Sequence, residues 1–473
     1  MSYFVTGATG FIGRHLVANL LKRKGTVYVL VRRGSQKKLD ALVERMGWDA
    51  RRIVAVPGDL AKPRLGVSAD KVDELKGKVR HFFHLAAIYD LAADGPSQVL
   101  ANVEGTRNAV ALAEAISAGC FHHASSIAVA GLYPGTFRED MFDEAEDLDH
   151  PYFRTKHDSE KVVREECSRP YRIYRPGMVV GHSKTGEIDK IDGPYYFFGA
   201  LKKLREMMPP WMPMIGIEGG RVNLVPVDYV ADAMDHIAHK PGLNGGCFHL
   251  TDPNPRRIGE VLNLFARAGH APQMTMRLDA RMFSFVPFPI KATLGNLPPV
   301  KRFTGMLLRD LGIPKEVIGL ITYSTRFDSR ETERALKGSG IRLPDLDDYA
   351  WRLWDYWERH LDPALFVDHS LKGKVKGKVV LITGGSSGIG KATALKVAAA
   401  GATTIIVARG EEELFATRDE ILAAGGTCHA YTCDLADMAS CDALVDKVVA
   451  EHGGVDVLVN NAGRSIRRSI ELS

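Results

Sequence analysis

Cysteine is scarce in this chain: Cys120, Cys167, Cys247, Cys428, Cys433 and Cys441 stand singly, with no CxxC and no Cys/His spacing suited to a metal. That argues against a disulfide framework or a zinc module, and the thiols are read as reduced core or surface groups. No apolar run reaches the roughly 18 residues that a membrane-spanning helix needs. The first strand is expected at Tyr3, which leaves no room for a signal or transit peptide, so a cytoplasmic location is expected. A dominant charge is missing too: 62 basic side chains face 57 acidic ones, a net charge of +5 that is too mild for a nucleic-acid partner. What remains is 473 residues of 45% hydrophobic content, enough for two or three domains with cores of their own.

Strand and helix signals take turns from the start. Strands are expected at Tyr3–Thr6, Thr26–Val31, Ile53–Val56, Val79–Leu85, Phe121–Ser125 and Tyr171–Arg175, with helices between them. Such alternation implies an α/β fold, a doubly wound parallel sheet of Rossmann type, complete by about residue 180. Between about 181 and 365 the alternation loosens around three aromatic or proline-rich stretches, Tyr195–Phe198, Met207–Met214 and Phe283–Ile290, and a substrate-binding lid is expected there. Residues 366–378, ending in the basic, glycine-punctuated Leu371–Lys378, read as a linker. Strands then recur at Val379–Thr383, Thr403–Ala408, His429–Cys433 and Val455–Asn460, so 379–473 reads as the N-terminal half of a second Rossmann domain, stopping after its fourth strand.

A glycine cluster lies between first strand and first helix in both halves: Thr6-Gly7-Ala8-Thr9-Gly10-Phe11-Ile12-Gly13, and Thr383-Gly384-Gly385-Ser386-Ser387-Gly388-Ile389-Gly390. One glycine permits the tight turn, another lets backbone approach a pyrophosphate, and the helix N-terminus offers unpaired amides. Thr9, Phe11 and Ile12 in the first cluster, and Ile389 in the second, line that turn. Nineteen residues after Gly13 stands Arg32, and 19 after Gly390 stands Arg409. A guanidinium there pairs with a 2′-phosphate and cannot accept a hydroxyl proton, so NADPH is favoured in both halves, with Arg33 assisting in the first. Asp59-Leu60 and Ala86 of His84-Leu85-Ala86-Ala87 fall where the rest of the cofactor lies; Asp434 and Asn461 are their counterparts.

Tyr152 and Lys156 stand four apart at the start of an expected helix and share one face. An ammonium beside a phenol stabilises the phenolate and tunes the hydroxyl for proton transfer to a carbonyl oxygen. Ser126, rather than Ser125, ends the fifth strand and is placed to bond the reacting oxygen. Asn102 begins the preceding helix, either as a water anchor in a proton relay through Lys156 or as a cap. His122 and His123 are read as structural.

With TGATGFIG, Gly58-Asp59-Leu60, HLAA, NVEGT, the serine pair, YFRTK and Tyr174-Arg175-Pro176-Gly177 assembled, residues 1–365 resemble an extended short-chain dehydrogenase/reductase. The resemblance implies that Ser126, Tyr152 and Lys156 form a catalytic triad with Asn102 as a fourth member, that Tyr152 and Lys156 also touch the cofactor, and that Arg175-Pro176-Gly177 borders the substrate cleft. The stretch from about 374, with TGxxxGxG and NNAG, resembles the other short-chain branch. Together the two modules look like bacterial alcohol-forming fatty acyl-CoA reductases. That likeness implies NADPH-dependent reduction of a fatty acyl-CoA or fatty aldehyde, in a protein for which peripheral membrane contact and homo-oligomerisation are open.

Three other readings compete. An epimerase, dehydratase or dehydrogenase acting on another substrate, such as a sugar nucleotide, would use the same scaffold. Gly384–Gly388 also spells the GxSxG of a hydrolase, for which only His429 and His452 follow as candidate bases. The second module also fits a non-catalytic NADP-binding role, and its half sheet is expected to leave an edge and a face uncovered.

Overall fold

The computed structural model describes residues 2–32, 34–87, 95–218, 220–279 and 325–463. The chain divides into two compact units, Met1–Asp362 and Pro363–Ser473.

In the first unit, strands β1 (Ser2–Thr6), β2 (Val27–Val31), β3 (Ile53–Pro57), β4 (Val79–His84), β5 (Cys120–Ala124), β6 (Tyr171–Pro176) and β7 (Cys247–Leu250) form one seven-stranded sheet in the order β7-β6-β5-β4-β1-β2-β3, every pair parallel. The central strands are buried because both faces are covered, and β4 and β5 bury His81, His84, His122 and His123 as well as apolar side chains. Helices α1 (Phe11–Lys22) and α2 (Gln36–Met46) lie on one face, and α3 (Ala69–Leu75), α4 (Gly105–Ala115) and α5 (Pro151–Glu166) on the other.

The expected division at residue 180 does not hold. Strand β7 comes from the region expected to be lid, and so does helix α6 (Val227–His239), whose Val230, Met234 and Ile237 pack with Leu16, Val17 and Leu20 of α1. Loose alternation hid both: all four residues of β7 are buried, but the strand follows a long irregular stretch with several short elements. Of the three stretches assigned to a lid, Tyr195 and Phe198 are core, packed with Trp354 and Trp357 of the helix Leu346–His360. In the second, Met207 and Trp211 are 78% and 79% exposed. The third, Phe283–Ile290, lies outside the described residues.

The second unit has a four-stranded parallel sheet: β8 (Val379–Thr383), β9 (Thr403–Ala408), β10 (Thr427–Thr432) and β11 (Val457–Val459), in the order β10-β9-β8-β11. That is the order β3-β2-β1-β4 repeated. Helices α7 (Arg330–Leu336) of the first unit and α8 (Gly388–Ala399), α9 (Glu411–Ala423) and α10 (Met438–His452) of the second complete the labelled set. Within 366–378 a short helix spans Leu371–Val375, and Val375 is buried in the core of the second unit.

Candidate active site and cofactor cradles

Gly7 takes φ +71°, and a Cβ there would lie 2.7 Å from the backbone N of Ala86; a Cβ on Gly13 would lie 2.1 Å from the Gly7 carbonyl oxygen. The turn therefore draws β1, β4 and α1 closer than side chains allow. Thr9 and Gly10 are exposed, Phe11 and Ile12 half-buried, and the first turn of α1 carries no acidic residue, so its amides and positive dipole end stay open to an anion.

At the strand ends beside this turn a recess of about 410 Å³ is lined by Arg32, Gly58, Asp59, Lys62, Ser68 and Lys71, among others. Lys71 is engaged by Glu74 at 2.8 Å. Arg32 and Lys62 have no ion-pair partner among the described residues, so two cations border the recess. Lys62 was not singled out from sequence, although it stands three residues past Asp59. Arg33 lies outside the described residues. Asp59 closes a turn on Ala61 N at 3.0 Å, and Leu60 is held through its carbonyl by the Asn108 amide at 2.8 Å.

Behind the turn a chain of hydrogen bonds fixes every donor. The Thr106 hydroxyl donates to the Asn102 carbonyl (2.6 Å), so Thr106 Oγ1 accepts from His84 Nε2 (3.1 Å). His84 Nδ1 must then accept from the Thr6 hydroxyl (2.8 Å), whose oxygen accepts the Ala86 N–H (3.2 Å). His84 is held neutral, well below the usual imidazole range, by burial and by the neighbouring His123 and Lys156. Asn102 lies inside a π-helical turn, Val99–Glu104, that runs straight into α4, so it caps nothing. Its side-chain amide meets Thr155 Oγ1 at 3.4 Å.

Helix α5 starts where His150 Nδ1 accepts the Tyr152 N–H and Pro151 takes the first turn. This sets Tyr152, Lys156 and Glu160 on one buried stripe, each 5% exposed or less. Burial lowers the Lys156 pKa to about 8, with Glu160 opposing the shift. The two serines separate by their bonds. Ser125 donates to Glu160 Oε2 at 2.7 Å, whereas Ser126 caps the turn Ile127–Ala130 by accepting Ala128 N–H at 3.2 Å, which leaves its own proton to give. His122 bridges His81 and Tyr174 at 3.0 Å each, a structural placement.

Arg175 does not border a cleft as a free cation. It is fully buried, with Nε and Nη2 on the Glu160 carboxylate (3.0 and 2.6 Å) and Nη1 on His249 Nε2 (3.1 Å). Glu160 was missed from sequence, though it stands one helical turn beyond Lys156.

The second unit repeats the cradle. Gly384 takes φ +67°, and a Cβ on Gly390 would lie 2.1 Å from the Gly384 carbonyl oxygen. Asn461 braces the turn, donating from its amide to the Thr383 and Gly384 carbonyls at 3.1 and 3.3 Å. Asp434 closes the same kind of turn as Asp59, on Ala436 N at 3.1 Å. Arg409 and Ile389 are exposed, and Gly388 opens α8 with φ +54° and open space beside it. His429 and His452 face each other at 4.4 Å and His452 bonds Tyr431, and among the described residues neither is hydrogen-bonded to Ser386.

Residues 5–234 match the NAD-binding family described as Male sterility protein, and residues 378–472 match the short chain dehydrogenase family. The two matches support an oxidoreductase of the short-chain dehydrogenase/reductase superfamily, of the extended type in the first unit. Over 97% of its length the chain is 27% identical to the glycine betaine reductase ATRR of Emericella nidulans, of which it covers 37%. An aldehyde reductase, lnbA, of Aspergillus flavus is 32% identical over 53% of the chain and 26% of its own length. An uncharacterized oxidoreductase of Mycobacterium tuberculosis is 57% identical over 22% of the chain and 31% of its own length. The chain thus spans about a third of these curated relatives. Among solved structures, the terminal R domain of the myxalamid PKS-NRPS pathway matches with TM-score 0.59 and 27% identity over 76% of this chain and 91% of that one.

Proposed function

We propose that the first unit reduces a fatty acyl-CoA thioester, or the fatty aldehyde derived from it, with NADPH as the hydride source. The observation that carries this reading is the buried ammonium of Lys156 one helical turn from Tyr152, on a stripe that faces the serine end of β5 beside the glycine turn. Glycine betaine reductase, aldehyde reductase and a terminal R domain among the similar proteins support carbonyl reduction. Arg32 and Lys62 in their recess support the phosphorylated cofactor, and the exposed Met207 and Trp211 support an apolar substrate.

When bound, NADPH supplies the hydride. Tyr152 gives its proton to the carbonyl oxygen, Ser126 donates a hydrogen bond to the same oxygen, and Lys156 lowers the cost of the phenolate while holding the ribose. On a thioester the product of the first reduction is a hemithioacetal, which collapses to aldehyde and free coenzyme A; a second round gives the alcohol. The second unit repeats the glycine turn of the first and is assigned NADP binding. The test is NADPH oxidation by the purified chain with palmitoyl-CoA and with a long-chain aldehyde side by side. Turnover of neither, with binding of NADPH intact, would overturn the substrate assignment.

A further inference from the structure

The Glu160 carboxylate is saturated. Oε2 accepts from Ser125 Oγ (2.7 Å) and Arg175 Nε (3.0 Å), and Oε1 from Arg164 Nε (2.9 Å) and Arg175 Nη2 (2.6 Å). Arg175 is tied onward to the Met141 carbonyl at 2.9 Å and to His249. His249 donates from Nδ1 to the Asp328 carbonyl (2.7 Å), so its Nε2 is the acceptor for Arg175. One carboxylate therefore joins α5, β5 and β6, and through β7 it reaches the segment that opens α7. Glu160 also shares the helix stripe of Tyr152 and Lys156.

We propose that Glu160 is a positioning residue for the reaction: it fixes the distance between the serine end of β5 and the Tyr152–Lys156 face of α5, and it is the counter-charge for the Lys156 ammonium. This rests on the roles given above to Tyr152 and Lys156. Among the described residues, Glu160 is the carboxylate that acts on Lys156. On β4 and β5 stand His84 and His123, both neutral. His123 has its two ring nitrogens buried without a hydrogen-bond partner, and its pKa is pushed down to about 3 by burial and then by Lys156 itself. Two turns along α5 from Lys156, Arg164 has the same sign as Lys156 and is bonded to Glu160. Burial alone pulls Lys156 towards its neutral form, and Glu160 acts against it.

Ser125 contributes geometry only. Its bond to Glu160 anchors the residue next to Ser126, so the two functions of Glu160 are separable by substitution.

The experiment follows kcat/KM for NADPH-dependent reduction against pH in the full chain. In Glu160→Gln, which keeps the shape and removes the charge, the alkaline limb is expected to move down by about one pH unit, a loss of about fivefold at pH 8 that approaches tenfold at higher pH, with a smaller loss at pH 6. A profile superimposable on the parent, or a loss of equal size at every pH, overturns the charge role. Should Glu160→Gln not fold, Ser125→Ala carries the test, because it leaves the ion pair whole. It is expected to lower kcat about tenfold with the limb and the NADPH KM unmoved, and an unchanged kcat overturns the spacing role. Tyr152→Phe, run alongside, separates the two levels. If it retains turnover, the assignment of Tyr152 fails; if it abolishes turnover while both other variants behave as the parent, only the role of Glu160 fails.

Discussion

The two units build the same cradle and then diverge. In both, a threonine ends the first strand, a left-handed glycine follows (φ +71° and +67°), and the closing glycine sits where a Cβ would come within 2.1 Å of the first glycine's carbonyl oxygen. The threonine hydroxyl oxygen accepts a backbone N–H from the fourth strand's end in each: Ala86 at 3.2 Å, and Asn461 and Ala462 at 2.9 and 3.0 Å. Beyond that point the first unit adds His84, Thr106 and Asn102 in one hydrogen-bonded chain, then the stripe of Tyr152, Lys156 and Glu160. Among the described residues, the second unit braces its turn with Asn461. Helix α10 buries only Val448 and leaves Val445 and Val449 more than half exposed, and Leu458 of β11 is 57% exposed. The two units share the turn, and the first sets a further layer of buried polar groups behind it.

Tyr152→Phe should break the contrast most: turnover is expected to fall about 10³-fold, while substitution of Tyr431, the buried tyrosine of the second unit, leaves the rate unchanged. Steady-state kinetics on both variants checks this. Gly13→Ala and Gly390→Ala should cost similar amounts, about 2 kcal/mol each, because the same carbonyl is struck in both; denaturant unfolding that shows one tolerated and the other not would mean the cradles differ. Arg32→Ala is expected to raise the NADPH KM about tenfold and leave the NADH KM little changed, and Arg409→Ala to leave both unchanged if the second cradle is not the one used in turnover.

The histidines sharpen the comparison further. His84, His122, His123 and His249 of the first unit are fully buried and their pKa values lowered, by burial first in each case. They stay neutral in the folded state and take up protons only on unfolding once the pH drops below about 6.5, so the unfolded chain binds more protons there. Stability of the first unit should fall with decreasing pH below that point, by at most about 1.4 kcal/mol per unit per histidine. In the second unit the half-buried His429 has a lowered pKa, from burial and then His452. Thermal melts between pH 7 and 5 are expected to show the first transition moving and the second staying nearly still. The smallest effect concerns the uncovered helix: Val445→Lys with Val449→Glu should reduce binding of a hydrophobic dye by the second unit without lowering its melting temperature.

Legibility in the sequence tracked locality. The glycine turns, the arginines at the second strand ends and the Tyr152–Lys156 spacing are encoded within a few residues of one another, so they could be read directly. So could Ser126, preferred over Ser125 from its place at the end of β5, and the structure adds the different partner each serine finds. Arg175 was legible as part of a motif and misplaced in space, because its carboxylate partner lies on another element and nothing local announces that the two are buried together. Strand β7 and helix α6 were assigned to a lid because they follow a long irregular stretch; they join the sheet and its cover across more than 60 residues from β6 to β7.

By itself the order of residues determined two parallel sheets and two nucleotide turns, since helix starts, left-handed glycines and buried parallel strands are decided by short-range sterics and by runs of apolar side chains. Only the tertiary structure decided which polar groups are stripped of water and which partners they then find. That includes the neutral His84, the depressed Lys156 and the saturated carboxylate of Glu160. The physical reason is that desolvation depends on what packs from other parts of the chain, and a buried charge takes its meaning from the group brought opposite it.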